Sequence, residues 1–191
     1  MTESKTDLRA VLGRRRRDRS APERAAAACA LVDHLARCPF PLAGVTVAAY
    51  VPVGTEPGSV AFLDALVGVG ARVLLPVVPP GAPGPLDWVG YGATTTLVGA
   101  RWGLREPVGP PLGVAAITEA SVIFVPALAV DVRGVRLGRG AGYYDRTIGG
   151  VAAETVAVVY DDEVLEALPA EPYDVGMRWA LTPTGGFRRL G

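Results

Sequence analysis

The chain has 191 residues, of which 50% are hydrophobic and 20% charged, enough for a substantial core and about the size of one domain. Nineteen basic residues balance nineteen acidic ones, so the zero net charge gives no general attraction to nucleic acid or an anionic membrane. No apolar run reaches the roughly 20 residues of a membrane span, and the first ten residues contain no signal-peptide core. We therefore expect a single cytoplasmic domain over residues 1–191, with any anion binding confined to a local site.

Strand-like apolar runs alternate with helix-like segments along the chain. Helical spacing predicts a first helix over about residues 4–18, and a capping box of Ser20 and Glu23 marks a second helix that runs through 24–37. A third helix is expected at about 59–69. This alternation predicts an α/β fold in which helices cover a mostly parallel sheet. The predicted strands are Val45–Tyr50, Arg72–Val77, Asp87–Tyr91, Val122–Pro126 and Thr155–Tyr160.

The two cysteines and the single histidine are interpreted as structural. Cys29 and Cys38 are too few and too far apart for a zinc site, and their alanine-rich helical surroundings favour a packing role. His34 lies in the same stretch among alanines and leucines. The sequence shows no evident Ser-His-Asp or Cys-His arrangement.

Loops that follow the strands are the expected place for a ligand, because ligands bind beyond the carboxyl ends of parallel strands. Three loops qualify, at 50–56, 102–107 and 136–145. The segment at 77–88 is dense in proline and glycine and is expected to be a surface loop.

The loop at 136–145 reads RLGRGAGYYD and has the composition of a phosphate cradle. Its alternating glycines let successive amides turn inward as a nest, and a following helix would add its positive N-terminus. Arg136 and Arg139 add positive charge, while Asp145 offers the hard oxygen that Mg²⁺ prefers. The loop therefore indicates a bound Mg-triphosphate, although a plain glycine-rich turn remains the alternative because its spacing matches neither a Walker loop nor a dinucleotide fingerprint. The glycines are Gly138, Gly140 and Gly142.

Basic residues near the N-terminus add a second candidate for phosphate binding. Lys5 and Arg9 lie four residues apart and project from one helix face, where they could reach a polyphosphate or simply face solvent. The run at 14–17, with Arg19, could suggest RNA binding. In a neutral protein such a run is more typical of solubility or local pairing, so we expect neither a nucleic-acid nor a membrane partner.

The motifs of the chain, taken in order, are similar to those of one enzyme family. They are Lys5-x-x-Leu8-Arg9, Tyr50 with Glu56, Trp102-Gly-Leu-x-Glu-Pro107, Val125–Asp131 with Gly134, the 136–145 loop, and Leu168-Pro with Asp174. Together they resemble 5-formyltetrahydrofolate cyclo-ligase, also called methenyltetrahydrofolate synthetase, and the resemblance covers almost the whole chain. It implies a three-layer α/β/α sandwich akin to sugar-phosphate isomerases and CoA transferases, in agreement with the alternation above.

The activity that this resemblance implies is the ATP- and Mg²⁺-dependent conversion of 5-formyltetrahydrofolate to 5,10-methenyltetrahydrofolate, with ADP and phosphate as products. ATP would phosphorylate the formyl oxygen, N10 of the folate would attack the resulting iminium phosphate, and phosphate would leave. The protein would align the reactants and neutralise developing charge, which explains the need for a phosphate loop.

The resemblance also implies which residues form the site. Those expected at ATP are Lys5, Arg9, Arg136, Gly138, Arg139, Gly140, Ala141, Gly142, Tyr143 and Tyr144. Those expected at the folate are Val51, Glu56, Trp102, Arg139 and Tyr143, and those at Mg²⁺ are Asp145 and Asp174. Arg136, Arg139 and Tyr144 are the expected catalytic residues. On the residues alone, Glu56 could instead be a solvated loop carboxylate and Trp102 a core aromatic.

Five positions depart from the family pattern. Ala141 stands where lysine or glycine is usual, Tyr173 where histidine is usual, and Arg178 where a second aspartate is frequent. Ala127 and Val130 replace a usual glycine and phenylalanine, changes typical of repacking. The change at Ala141 removes a possible phosphate contact or tightens the turn, and the change at Arg178 could weaken the affinity for Mg²⁺.

Other functions remain open at the level of sequence. A nucleotide-binding regulator without turnover would keep the phosphate loop, whereas a sugar-phosphate isomerase or CoA-transferase relative would need its own acid/base carboxylate or nucleophilic glutamate. A nucleic-acid-binding module would depend on the arginine run alone. We expect an enzyme that acts as a monomer on ATP and 5-formyltetrahydrofolate.

Overall fold

A computed structural model describes residues 4–191 of the chain as an α/β structure. The α-helices of this part are α1 (Lys5–Asp18), α2 (Ala21–His34), α3 (Val60–Gly68) and α4 (Tyr143–Ile148). The strands are β1 (Thr46–Ala48), β2 (Arg72–Val77), β3 (Asp87–Tyr91), β4 (Leu97–Gly99), β5 (Arg105–Pro107), β6 (Ala120–Pro126), β7 (Ala129–Asp131), β8 (Arg136–Leu137), β9 (Glu154–Val158), β10 (Val164–Leu165), β11 (Trp179–Thr182) and β12 (Gly186–Arg189). Short 3₁₀ turns lie at Leu35–Arg37, Arg101–Gly103, Val114–Glu119 and Asp161–Glu163.

The main sheet has seven strands in the order β12-β11-β9-β6-β1-β2-β3. Its five inner strands are parallel, and an antiparallel strand flanks them at each edge. The chain leaves β1 toward β2 on one side, whereas it leaves β6 toward β9 on the other. The strand order therefore reverses between β1 and β6, and a crevice is expected at the carboxyl ends of these two strands.

Alternating side chains of the parallel strands build an apolar cluster on each face of the sheet. On one face, Val47, Val73 and Phe124 pack with residues of α2 and α3. On the other, Ala48 and Ile123 pack with residues of α4 and of the turn at Val114–Glu119. The predicted α/β fold with a mostly parallel, helix-covered sheet is thereby confirmed, while the kinship to isomerases and transferases stays a prediction.

Two minor sheets lie beside the main one. Strands β10, β7 and β8 form a three-stranded sheet, and β4 pairs with β5 as a hairpin. The three-stranded sheet carries a separate apolar cluster that includes Leu137 and Leu168, and α1 docks on it through Leu8 and Leu12. The first helix is therefore attached beside the carboxyl ends of the strands rather than over the centre of the main sheet.

The three predicted helices are confirmed with small differences at their ends. At α2, Ser20 Oγ accepts a hydrogen bond from Glu23 N at 3.4 Å, and Glu23 Oε2 accepts one from Ser20 N at 2.7 Å, which completes the predicted capping box. This helix ends at His34 and continues to Arg37 as a 3₁₀ turn. Between residues 4 and 191, none of the helices is long and apolar enough to cross a membrane.

Two expectations about individual segments are wrong. The end of the proline-rich loop is not at the surface, because Leu86 and Trp88 are buried where β3 enters the sheet. Leu86 N also donates to Thr147 Oγ1 at 2.9 Å, which holds the loop end against α4. Cys29 does not pack in the core but is exposed, because it lies on the outer face of α2; Cys38 is half-buried against the α2–α3 cluster, as expected.

Candidate active site

A cleft of about 650 Å³ opens at the carboxyl ends of β1 and β6, where the strand order reverses. Val51 and Glu56 reach it from the loop after β1, and Ala127 from the end of β6. The β4–β5 hairpin forms another wall. The structure brings every predicted site residue to this cleft: Lys5, Arg9, Val51, Glu56, Trp102, Arg136, Gly138, Arg139, Gly140, Ala141, Gly142, Tyr143, Tyr144, Asp145 and Asp174.

The glycine loop connects β8 to α4, and its turns require glycine. Gly140 has φ +104° and Gly142 has φ +71°, backbone conformations that other residues rarely adopt. A Cβ at Gly138 would lie only 2.7 Å from Arg136 Nη1. Arg9 Nε donates to the Gly138 carbonyl at 2.9 Å, so the N-terminal helix is fastened directly to the loop.

Each of three cations in the cleft forms an ion pair with an acid. Arg136 Nη2 lies 2.9 Å from Asp145 Oδ1, and Lys5 Nζ lies 2.7 Å from Asp174 Oδ2. The third pair joins Arg139 Nη2 to Glu56 Oε1 at 3.0 Å. Without ligands, these charges therefore satisfy one another.

Glu56 is a buried carboxylate, with only 10% of its side chain exposed, and not the solvated loop residue that remained an alternative. Its Oε2 accepts a hydrogen bond from Val53 N at 2.9 Å, which fixes its orientation. Burial raises the pKa of Glu56 despite the opposing charge of Arg139. A buried acceptor of this kind suits a ligand edge that presents N–H groups.

Trp102 lies on the rim of the cleft with 65% of its surface exposed, so it is not a core aromatic. It is at the turn between β4 and β5 and has φ +56°, an unusual conformation for a bulky residue. Its ring centre lies 6.4 Å from that of Tyr143, with the planes inclined by 49°. The two rings offer apolar surface to a flat ligand.

Two polar groups beside the cleft are buried without a hydrogen-bond partner in the described part of the chain. They are Tyr144 Oη and Arg136 Nε, and the Arg136 guanidinium lies 5.8 Å from the Tyr144 ring centre. Burial raises the pKa of Tyr144, so its hydroxyl stays a donor. Unsatisfied donors at a cleft indicate a bound group that would accept from them.

The predicted metal ligands fit Mg²⁺ only with help from a substrate. No group of three or more acidic, histidine or cysteine side chains between residues 4 and 191 could hold a metal alone. Asp145 and Asp174 both line the cleft, and each uses one carboxylate oxygen for its cation. Val175 N, next to Asp174 in the chain, lies 3.4 Å from Asp145 Oδ1. Mg²⁺ is commonly held by one or two carboxylates together with phosphate and water, so this donor set suits Mg-ATP.

The surroundings of Asp174 favour its ionised form. Burial acts to raise the pKa of Asp174, but hydrogen bonds from Lys5 Nζ and from Glu171 N outweigh it and leave the pKa below its ordinary value. Asp174 is thus ionised at neutral pH.

Sequence reasoning missed Arg16, which also lines the cleft. The arginine run was expected to serve solubility or local pairing, but Arg16 is only 2% exposed and pairs with buried Glu163, far away in the sequence. Its position on α1, on the same face as Lys5 and Arg9, was the available signal.

The residues that depart from the family pattern have different surroundings. Ala141 and Tyr173 line the cleft, and the carbonyl of Ala141 accepts from Arg146 Nη1 at 2.8 Å. Arg178 is exposed and pairs with Glu154 at 3.3 Å, away from the lining of the cleft.

Comparison with known proteins supports one family. A family model described as the 5-formyltetrahydrofolate cyclo-ligase family matches residues 1–183. The chain is 52% identical over 192 residues to the 5-formyltetrahydrofolate cyclo-ligase of Mycolicibacterium smegmatis, covering 98% of this chain and 97% of that protein. The Escherichia coli protein of the same name is 31% identical over 142 residues, covering 73% of this chain and 78% of that one.

Solved structures with a similar fold carry a related name. The NMR structure of Aquifex aeolicus 5,10-methenyltetrahydrofolate synthetase superimposes with a TM-score of 0.80 at 29% identity, covering 97% of this chain and 92% of that one. A 5,10-methenyltetrahydrofolate synthetase from Mycoplasma pneumoniae has a TM-score of 0.71 at 19% identity, covering 93% and 98%, and this second likeness is evidence for the fold alone.

Proposed function

Because the chain belongs to the 5-formyltetrahydrofolate cyclo-ligase family, a family of ligases, we propose that it converts 5-formyltetrahydrofolate to 5,10-methenyltetrahydrofolate while ATP is cleaved to ADP and phosphate. The observation that carries this proposal is the ion pair between Arg139 and Glu56. It joins the glycine loop to a buried carboxylate. A site suited to phosphate and a site suited to a pterin are therefore in direct contact.

In this proposal the two substrates occupy different parts of the cleft. Lys5, Arg9 and the loop from Arg136 to Tyr144 bind the phosphates of ATP, and the buried Glu56 accepts hydrogen bonds from the amino-pyrimidine edge of the folate. Val51 lines the pterin pocket, while Trp102 and Tyr143 contact flat parts of the substrates. The γ-phosphate and the formyl group then meet near Arg139.

The chemistry needs no protein nucleophile. The formyl oxygen attacks the γ-phosphorus and ADP leaves; the N10 lone pair then forms a bond to the formyl carbon, N10 loses its proton, and the C–O bond breaks to release phosphate.

The three proposed catalytic residues act on charge that develops at the transferred phosphoryl group. Arg136 and Arg139 present guanidinium donors, and Tyr144 presents a buried hydroxyl that has no partner within the described residues. Fixed donors in a site of restricted solvent access stabilise such charge more strongly than water does.

Asp145 and Asp174 would hold Mg²⁺ in this proposal. The ion would supply positive charge to the phosphates of ATP, and the two carboxylates would exchange part of their pairing with Arg136 and Lys5 for that role. The freed cations would then be available to phosphate oxygens.

The test is direct. Purified protein is mixed with Mg-ATP and 5-formyltetrahydrofolate, and the ultraviolet absorbance of the methenyl product is followed, with controls that lack each component. Product that requires all three components supports the cyclo-ligase. ATP binding without product would identify a nucleotide-binding relative that lacks turnover, the alternative that keeps the same loop. Single-domain organisation, a monomeric state and a cytoplasmic location stay predictions.

A further inference from the structure

Arg16 forms a buried polar link that holds α1 to the loop after β9. Its Nε and Nη2 donate to Glu163 Oε1 and Oε2, each at 2.7 Å, and Nη2 also donates to the Ala127 carbonyl. Both side chains of the ion pair are 2% exposed. Glu163 is itself oriented, because its Oε2 accepts from Tyr160 N at 2.8 Å.

Further contacts connect the Arg16–Glu163 pair to the loop after β1, which carries Glu56. The guanidinium of Arg19 lies 4.1 Å from the centre of the Tyr160 ring, and Arg19 also pairs with Asp162. The Tyr160 hydroxyl donates to the Thr55 carbonyl at 3.3 Å, next to Glu56. Arg16 in α1 and Arg19 just after it thus both contact residues 160–163, which in turn contact the loop that carries the buried carboxylate.

The apolar packing of α1 is limited. Leu8 and Leu12 pack on a small cluster beside the cleft. A two-pronged guanidinium–carboxylate pair has a fixed geometry. At 3.6 residues per turn, Arg16 lies within about 20° of Lys5 around the helix axis, so the pair faces the same side as the phosphate-binding cations.

We propose that Arg16 is a positioning residue for the reaction. Through Glu163 and the Ala127 carbonyl it fixes the rotation and axial position of α1, so that Lys5 meets Asp174 and Arg9 meets the glycine loop. A rotation by a single residue would turn both cations by about 100° and remove them from the cleft. The inference rests on the proposed function for the role of Lys5 and Arg9, but it predicts ATP affinity as well as turnover.

A double substitution separates positioning from simple structural support. Arg16→Met alone leaves Glu163 buried without a partner and is expected to destabilise the fold. Arg16→Met with Glu163→Met replaces the pair by apolar side chains, an exchange that commonly restores stability. If Arg16 positions α1, the double variant regains the thermal midpoint of the wild type but binds Mg-ATP about tenfold or more weakly.

The measurements are calorimetric titration with Mg-ATP, thermal unfolding, and the KM for ATP against kcat. If Arg16 positions α1, KM for ATP should rise by a larger factor than kcat falls. Arg16→Lys should recover only part of the affinity for Mg-ATP, because lysine lacks the two-pronged guanidinium. Arg17→Met, at an exposed position of the same run, is the matched control and should leave both quantities unchanged.

Mg-ATP affinity that recovers together with stability in the double variant would overturn the inference. Because ATP binding is measured without folate, a wild-type protein that binds Mg-ATP but forms no methenyl product would overturn the proposed function and still test the role of Arg16. A wild-type protein that does not bind Mg-ATP would overturn both.

Discussion

Asp145, Asp174 and Glu56 each have two possible kinds of partner in the cleft. In the free protein they pair with Arg136, Lys5 and Arg139. When substrates bind, phosphate oxygens would compete for the cations, while Mg²⁺ and the pterin would compete for the acids. The affinity for substrates therefore depends on the difference in free energy between these two sets of interactions. Removal of one acid changes the free state as well as the bound state.

Replacement of Asp145 by asparagine should lower kcat far more than it lowers stability. The carboxylate is only partly buried, but its charge would act through Mg²⁺ on the transferred phosphate, where loss of one stabilising group costs about 100- to 1,000-fold. Steady-state kinetics over a range of Mg²⁺ concentrations, together with thermal unfolding, provide the measurement. Asp18→Asn, at an exposed position of α1, is the control, and unchanged turnover of a folded Asp145→Asn protein would remove Asp145 from the metal site.

Replacement of Glu56 by glutamine should weaken folate binding while it raises stability at neutral pH. Burial raises the pKa of Glu56 in the folded protein, so stability falls as the pH rises from the ordinary value of 4.5 through the folded-state pKa. Glutamine does not ionise, so the Glu56→Gln protein keeps the stability that the wild type loses over this pH range. Its unfolding free energy should exceed that of the wild type at pH 7 but not below pH 4.5. Folate affinity should fall about 10- to 100-fold, because an amide accepts hydrogen bonds less strongly than a carboxylate.

Denaturant unfolding at several pH values and titration with 5-formyltetrahydrofolate test both parts. Glu119→Gln, which removes one partner of a half-exposed ion pair with Arg72, should change stability by no more than about 0.5 kcal/mol. A Glu56→Gln protein that is less stable than the wild type at pH 7 would contradict the assignment of a desolvated carboxylate.

Predictability from sequence differs among individual side chains. Trp102 and Glu56 reach the cleft as the family motifs predict, but only the structure identifies one as exposed and the other as buried. Arg16 differs from the other arginines of the run RRRR only in lying on the same face of α1 as Lys5 and Arg9. Its burial could not be predicted, because it depends on Glu163, a residue 147 positions away.

Among the elements of the fold, the longer helices and strands were predicted and most of the short strands were not, β1 being a short strand that was. Strands β2 and β3 have the predicted bounds, because five or six residues show an apolar pattern. Strands β5, β7 and β8 have two or three residues and lie in segments read as motif or loop, and β4, β10, β11 and β12 were missed as well. These short pieces matter for the site, since β7 and β8 carry the glycine loop.

The turn between β7 and β8 provides a prediction for this hairpin. Gly134 has φ +91°, and a Cβ there would collide with the carbonyl oxygen of Met177. Gly134→Ala should therefore cost about 2–6 kcal/mol, from backbone strain and overpacking together. Gly150→Ala is the matched control, because Gly150 has φ +78° but open space around it, and it should cost about 1–2 kcal/mol from strain alone.

Denaturant unfolding of the two variants gives both values. Equal losses for Gly134→Ala and Gly150→Ala would mean that the turn yields to the added methyl group, and that Met177 does not constrain the hairpin.

For the molecule as a whole, the alternation of strands and helices predicted the architecture, and the reversal of strand order explains where the site lies. The loops after β1 and β6 diverge at that point and leave room for a cleft. The sequence did not predict that α1 would dock outside the main sheet, because the apolar residues of α1 could pack on many different apolar surfaces.

This attachment predicts a specific dynamic response to nucleotide. The amides of β6 lie in the centre of the sheet, whereas α1 is held by a few apolar residues and by polar links, so α1 should exchange amide hydrogens faster than β6 in the free protein. Mg-ATP should slow exchange in α1 and in the 136–145 loop with little effect on β6. Hydrogen-exchange mass spectrometry with and without Mg-ATP measures this, and equal added protection in β6 would argue for global rather than local stabilisation.

The long sequence separations within the cleft have a consequence for protein synthesis. Lys5 and Asp174 are 169 residues apart, and Arg16 and Glu163 are 147 apart. A ribosome adds about 5–20 residues per second, so α1 emerges several seconds before its partners exist. A 14-residue helix is marginally stable alone. The helix that carries Lys5 and Arg9 is thus translated well before it can settle, and a nascent chain that ends before residue 163 lacks both Glu163 and Asp174, which pair with Arg16 and Lys5.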